Sequence, residues 1–137
     1  MLLLMQVCIK FSSHSFVLGS SRNKLKEETM RAELTELIEK YTNASNKNNK
    51  AEFVSCFAED AEVTDENKTI KGRDAIGKWF ESAKEMYSHK MRLIEVNETA
   101  NGCLMTAEVS GNFEGSPVDL NYNITVQAGL ITGLRID

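Results

Sequence analysis

Side chains with strong nucleophilic or metal-binding chemistry are sparse in this chain. Its three cysteines, Cys8, Cys56 and Cys103, lie far apart without a C-x-x-C pair, and its two histidines are His14 and His89. An odd cysteine count makes no disulfide framework, and the spacing of neither residue type suits a metal site. Buried reduced thiols are the expectation, which leans towards a reducing, cytoplasmic setting. His89 opens a strand-like run with Met91 and Leu93, so its imidazole faces either inward or solvent. Lys84, Lys90 and Arg92 form a small basic cluster, expected on a solvated face. N-x-S/T triplets occur at Asn43, Asn67, Asn97 and Asn123, but Asn123 falls inside an alternating apolar segment, where a glycan would be unwelcome.

These residues belong to a chain of 137, with 42% hydrophobic and 26% charged residues, one proline and a formal net charge of −4. One domain of that size can bury a sizeable core. The apolar fraction excludes disorder, and no apolar run reaches the ~20 residues of a membrane helix. A sequence pI near 5.3 without a long basic run argues against a nucleic-acid binder. The charge is uneven. Residues 1–29 carry Lys10, Arg22, Lys24 and Lys26 against Glu27 and Glu28, a net +2, which leaves −6 for the remainder. Met1-Leu-Leu-Leu-Met-Gln-Val-Cys-Ile9 has the apolar character of a secretory signal, but no positive charge precedes it and Ser20-Ser21 makes a poor cleavage site. Residues 1–29 therefore read as an extension, a flexible arm or a mis-assigned start, and 30–137 as the domain.

The elements that must position any site are well marked beyond Met30. Leu34, Leu37, Ile38, Tyr41 and Ala44 recur at helical spacing over residues 30–46. Asn49 followed by Glu52 resembles a capping box opening a short second helix, with Phe53, Cys56 and Phe57 inward. Glu62–Asp65 and Thr69–Lys71 read as short strands joined by Glu66-Asn-Lys68. Gly72 introduces a third helix striped by Ile76, Trp79, Phe80, Ala83, Met86 and Tyr87. Four strand-like segments follow: His89–Asn97, Cys103–Ser110, Val118–Gln127 and Leu130–Ile136. Helices first and an antiparallel meander afterwards mean an α+β domain. Strict alternation of Val118, Leu120, Tyr122, Ile124 and Val126 with polar neighbours predicts one packed and one polar sheet face. A sheet with many hairpins and strand glycines curls, and a curled sheet closed by helices leaves a concave interior suited to a small molecule.

Phe57-Ala-Glu-Asp-Ala-Glu-Val-Thr-Asp65, then Lys71-Gly-Arg-Asp-Ala-Ile76 leading to Trp79-Phe80, resemble the nuclear transport factor 2-like superfamily. Within it the likeness is to the SnoaL-like polyketide cyclase and ketosteroid isomerase branch. Val109-Ser-Gly-Asn-Phe-Glu-Gly-Ser-Pro-Val118 and Gly129-Leu-Ile-Thr-Gly-Leu-Arg-Ile136 carry it through residues 30–137. The resemblance implies a curved, mostly antiparallel sheet forming a cone closed by three N-terminal helices, a cystatin-like α+β barrel. It also implies an apolar pocket for a hydrophobic small molecule and homodimers.

The same resemblance places Asp65 where ketosteroid isomerases carry the general base that moves a proton beside a carbonyl; a turn aspartate is the other reading. Tyr41 matches the tyrosine that donates to the developing oxyanion, and it also continues the core stripe of the first helix. Phe80 stands where isomerases often have a second tyrosine, and on the late strand the matching residue is Asn121 or Tyr122, of which Tyr122 lies on the apolar face. Trp79, Phe80, Met105, His89 and Tyr122 are the expected pocket lining. Proton transfer, cyclisation or dehydration of this kind needs no metal and no organic cofactor. Two functions remain open: acid/base chemistry on an enolisable carbonyl compound, and non-catalytic ligand binding or dimerisation on the same fold.

Overall fold

The computed structural model describes residues 21–137. The signal-like run, Cys8 and His14 lie outside the described residues. Helix α1 spans Ser21–Asn46, so it runs straight through Met30 rather than beginning there. Helical propensity upstream of the apolar stripe is enough to continue the turns, and periodicity alone marks only the part that packs. Leu34, Leu37, Ile38, Tyr41 and Ala44 are buried as the spacing requires. Between them, Thr42 donates its hydroxyl to the Ile38 carbonyl at 2.9 Å, which satisfies a polar group inside the stripe.

Asn49 caps helix α2 (Lys50–Ser55), its side-chain oxygen accepting the Glu52 N–H at 3.1 Å. Strand β1 covers Phe57–Asp65. It starts five residues before the expected Glu62, and Phe57 belongs to it rather than to α2. The cause is distant: β1 pairs in parallel with β6, Phe57 opposite Ile131, and the Cys56 carbonyl accepts the Ile131 N–H at 2.8 Å. Strand β2 (Lys68–Lys71) folds back on β1 through the Glu66–Asn67 turn, where both residues have positive φ. Helix α3 spans Arg73–Tyr87, and the Arg73 guanidinium donates to the Phe57 carbonyl at 2.8 Å, joining the start of α3 to the start of β1.

Strands β3 (Lys90–Glu98), β4 (Gly102–Ser110), β5 (Val118–Gln127) and β6 (Leu130–Ile136) complete one six-stranded sheet of order β2-β1-β6-β5-β4-β3. Every neighbouring pair is antiparallel except β1 with β6, so the sheet is mixed, and its ends at β2 and β3 do not meet. It is an open α+β cone rather than a closed barrel. Register shifts between Leu93 and Glu95 and between Thr125 and Val126 mark bulges, which bend and twist strands. At the β3 edge, the Asn46 side chain donates to the Met91 carbonyl at 2.9 Å and accepts the Met91 N–H at 2.8 Å. One amide side chain thus takes the place of a neighbouring strand and ties α1 to the sheet.

The helices cover the concave face, where Phe53 stacks on Phe80 at 4.1 Å between ring centroids and Tyr41 lies 5.0 Å from Phe53. Two expected placements change. Met86 is 63% exposed, because Ile76, Phe80, Lys84 and Tyr87 define the packed side of α3 and Met86 falls off that side. Lys84, expected on a solvated face, is buried: its ammonium donates to the His89 carbonyl and sits 5.9 Å from the Phe80 ring centroid. Burial, assisted by Lys90, lowers its pKa to about 8. Cys56 and Cys103 are buried free thiols, with burial raising them to about 11 and about 12.

Candidate functional site

A cavity of about 400 Å³ opens between the helices and the concave sheet face. That volume lies in the range of about 300–1,000 Å³ typical of small-molecule sites. Each side contributes by its own periodicity. From α1 come Tyr41 and Ser45, one turn apart; from α3 come Trp79, Phe80, Ala83 and Tyr87, at three- and four-residue steps. Alternate residues Val118, Leu120 and Tyr122 project from β5, while Met91 and Val109 project from β3 and β4. The β4–β5 loop adds Phe113, Glu114 and Gly115, and the end of β1 adds Asp65 and Glu66. Glu66, Glu114, Gly115 and Val118 are also exposed, and so mark the mouth.

Asp65, Tyr41 and Tyr122 all line this one cavity. The Asp65 carboxyl is half-buried, and its Oδ2 accepts the Trp79 indole N–H at 3.1 Å. Tyr41 and Tyr122 meet edge to face with centroids 6.3 Å apart. Both rings are buried, at 3% and 6% exposure, yet neither hydroxyl has a hydrogen-bond partner among the described residues. Burial pushes both hydroxyls above the ordinary tyrosine range, and the Asp65 carboxylate pushes each in the same direction. Two protonated donors therefore face the cavity with a carboxylate close enough to influence both.

His89 and Trp79 line the cavity, as does Phe80. Burial, then Lys84 and Lys90, lower the His89 imidazole to about 4, so it is neutral near pH 7. Met105 does not line it. It is fully buried beneath the sheet's inner face, opposite Tyr122 on one side and Val96 on the other. Alternation puts Met105 on the correct face but cannot say that helices cover that stretch. Sequence reasoning missed Phe53, Tyr87 and Phe113 as lining residues. Tyr87 already stood in the α3 stripe, and its edge-to-face contact with Phe113, at 5.9 Å, joins the Asn112 N–H donated to the Tyr87 carbonyl at 2.7 Å in tying the β4–β5 loop to the end of α3. Among the described residues, no cluster of histidine, cysteine, aspartate and glutamate could hold a metal ion. No described helix is long and apolar enough to cross a membrane.

The SnoaL-like domain family matches residues 38–133. A protein of Sinorhizobium meliloti assigned as a polyketide cyclase is 34% identical, with 74% of this chain and 94% of that one aligned at a TM-score of 0.72. A ketosteroid isomerase-like fold from Catenulispora acidiphila, in complex with trimethylamine, aligns over 74% of this chain and 84% of its own, at 17% identity and a TM-score of 0.67. A Mycobacterium tuberculosis protein in complex with estradiol-17β-hemisuccinate aligns over 76% and 92%, at 15% identity and a TM-score of 0.63. At their low identities the last two share the fold alone. No curated protein matches the chain.

Proposed function

The chain belongs to the SnoaL-like domain family, on the nuclear transport factor 2-like fold, and on that premise we propose that it binds a hydrophobic carbonyl compound and moves a proton on it. One observation carries this reading: a carboxylate and two tyrosine hydroxyls without a partner among the described residues line the same cavity. In the proposed step, Asp65 takes a proton from the carbon beside the carbonyl. The electron pair of that C–H bond moves into the C–C bond, and the carbonyl π pair moves onto oxygen. The resulting enolate oxygen is held by the Tyr41 and Tyr122 hydroxyls, which donate where the charge develops. Return of that proton to a conjugated carbon completes isomerisation; its loss from Asp65 to solvent, with a solvent proton delivered to the same carbon, completes exchange; and a cyclisation would use the enolate carbon as nucleophile. No bond in this sequence needs an oxidant, a metal or an organic cofactor.

Two complexed neighbours, with estradiol-17β-hemisuccinate and with trimethylamine, support a small-molecule role for a cavity in this fold. The test is deuterium exchange at the α-carbon of hydrophobic ketones, followed by NMR with the protein present. Asp65→Asn is expected to lose at least about 100-fold in exchange rate while keeping the fold. Equal exchange by this variant removes Asp65 from the mechanism. Ligand binding without any exchange would favour the second reading, a non-catalytic binding domain, which the missing second tyrosine at Phe80 supports. The homodimer belongs to the same proposal: Leu104 and Ile94 are large apolar residues left exposed on the sheet, and native mass spectrometry measures the oligomeric state.

A further inference from the structure

We infer that the cavity takes an organic cation: a ligand with an apolar body, an inward-facing carbonyl and a positively charged nitrogen held at the mouth by Asp65, Glu66 and Glu114. The inference rests on the proposed small-molecule role of the cavity and names the ligand class. Among the described residues, three carboxyl groups line the cavity and no lysine or arginine does. Lys84 and Lys90 donate to the His89 and Asn46 carbonyls, and neither lines the cavity. His89, the remaining basic residue of the lining, is neutral near pH 7 because burial and those two lysines depress it to about 4.

The acidic residues cluster where the cavity meets solvent. Glu66 and Glu114 are exposed, and Asp65 is half-buried behind them. An anionic ligand would have to pass all three, and a neutral one would gain nothing from them. A cation gains twice, from the carboxylates and from the rings of Trp79, Tyr87 and Phe113 in the same lining, since aromatic faces attract positive charge. The deep end has the opposite character. Tyr41 and Tyr122 are more than nine-tenths buried and present hydroxyls with no partner among the described residues, so the buried end of the ligand carries an acceptor.

Three probes of matched size separate the possibilities: phenacyltrimethylammonium, its neutral carbon isostere 3,3-dimethyl-1-phenylbutan-1-one, and anionic 3-benzoylpropionate. Trp79 is the only tryptophan and hydrogen-bonds Asp65, so its indole N–H gives one NMR cross-peak reporting directly on the site. The cation is expected to shift that peak and to bind about tenfold more tightly than the isostere. The joint substitution Glu66→Gln with Glu114→Gln is expected to reduce this preference to about twofold and to remove most of its salt dependence. Both positions are exposed, so the fold is kept. Binding of the isostere or the anion as tightly as the cation overturns the charge preference while leaving the small-molecule cavity standing. Failure of all three probes to move the Trp79 peak overturns both.

Discussion

The indole N–H of Trp79 donates to Oδ2 of Asp65 at 3.1 Å, linking the middle of α3 to the last residue of β1. Asp65 is followed by a tight turn at Glu66 and Asn67, and an aspartate there would otherwise be free to rotate towards solvent. Trp79 holds one carboxylate oxygen and leaves the other to the cavity. Trp79→Phe keeps an aromatic body and deletes the donor. Its expected effect is a fall in kcat for ketone exchange of about tenfold, with KM for the ketone changed less. A loss confined to KM would mean that Trp79 only packs against the ligand.

Tyr41→Phe and Tyr122→Phe separate a working hydroxyl from a core ring. Neither hydroxyl bonds to a described residue, so its removal strands no buried partner among them and should change stability by less than about 0.5 kcal/mol. Exchange should fall by about 100-fold for whichever tyrosine holds the enolate oxygen. Denaturant melts alongside exchange rates distinguish this from loss of packing.

Asn46→Ala removes both hydrogen bonds to Met91 on the β3 edge. The expected cost is about 2 kcal/mol, with faster amide hydrogen exchange at Met91 as its local signature. Unchanged protection there would show that α1 holds the edge by apolar packing alone.

Gly102→Ala tests the β4–β5 contact. A Cβ at position 102 would lie 2.0 Å from the Ile124 carbonyl oxygen and 3.2 Å from the Thr125 Cα, both backbone atoms that cannot rotate aside. A loss of about 3 kcal/mol in urea unfolding is expected, whereas Gly133→Ala, with its nearest atoms at 3.6 Å, should cost clearly less.

His89 should make the fold acid-sensitive. Burial, Lys84 and Lys90 lower its pKa from 6.5 to about 4 in the folded chain. Between those values the unfolded chain takes up a proton that the folded chain refuses, so stability is complete above pH 6.5 and declines as pH falls towards 4. His89→Gln should flatten that part of a Tm-against-pH curve, and an NMR titration should place the imidazole near 4.

Periodicity made the core legible. The α1 stripe from Leu34 to Ala44 and the strict alternation of β5 each predict a buried face, because helix and strand geometry send those side chains to one side whatever they meet. Asn49 and Glu52 marked a helix start through a local hydrogen bond. What local pattern missed was decided at long range. Phe57 joined β1 because Ile131, more than seventy positions later, pairs with it. Nearer in the chain, Lys84 became buried where the turn after α3 brings the His89 carbonyl to its ammonium. Met86 fitted the stripe but lies off the side of α3 that Ile76, Phe80 and Lys84 bury.

The candidate site divides in the same way. Residue types and their resemblance to a known family nominated Asp65, Tyr41 and Tyr122, and the chain's own pattern placed each on a strand end, a helix face or an inward strand position. Only the tertiary structure brought them to one cavity, set Met105 outside it, added the Tyr87–Phe113 pair and gathered Glu66 and Glu114 at its mouth. The physical reason is that periodicity specifies a direction relative to one element's axis. A cavity exists only where several elements fail to fill the space between them, and that depends on curvature and strand order that no single segment encodes.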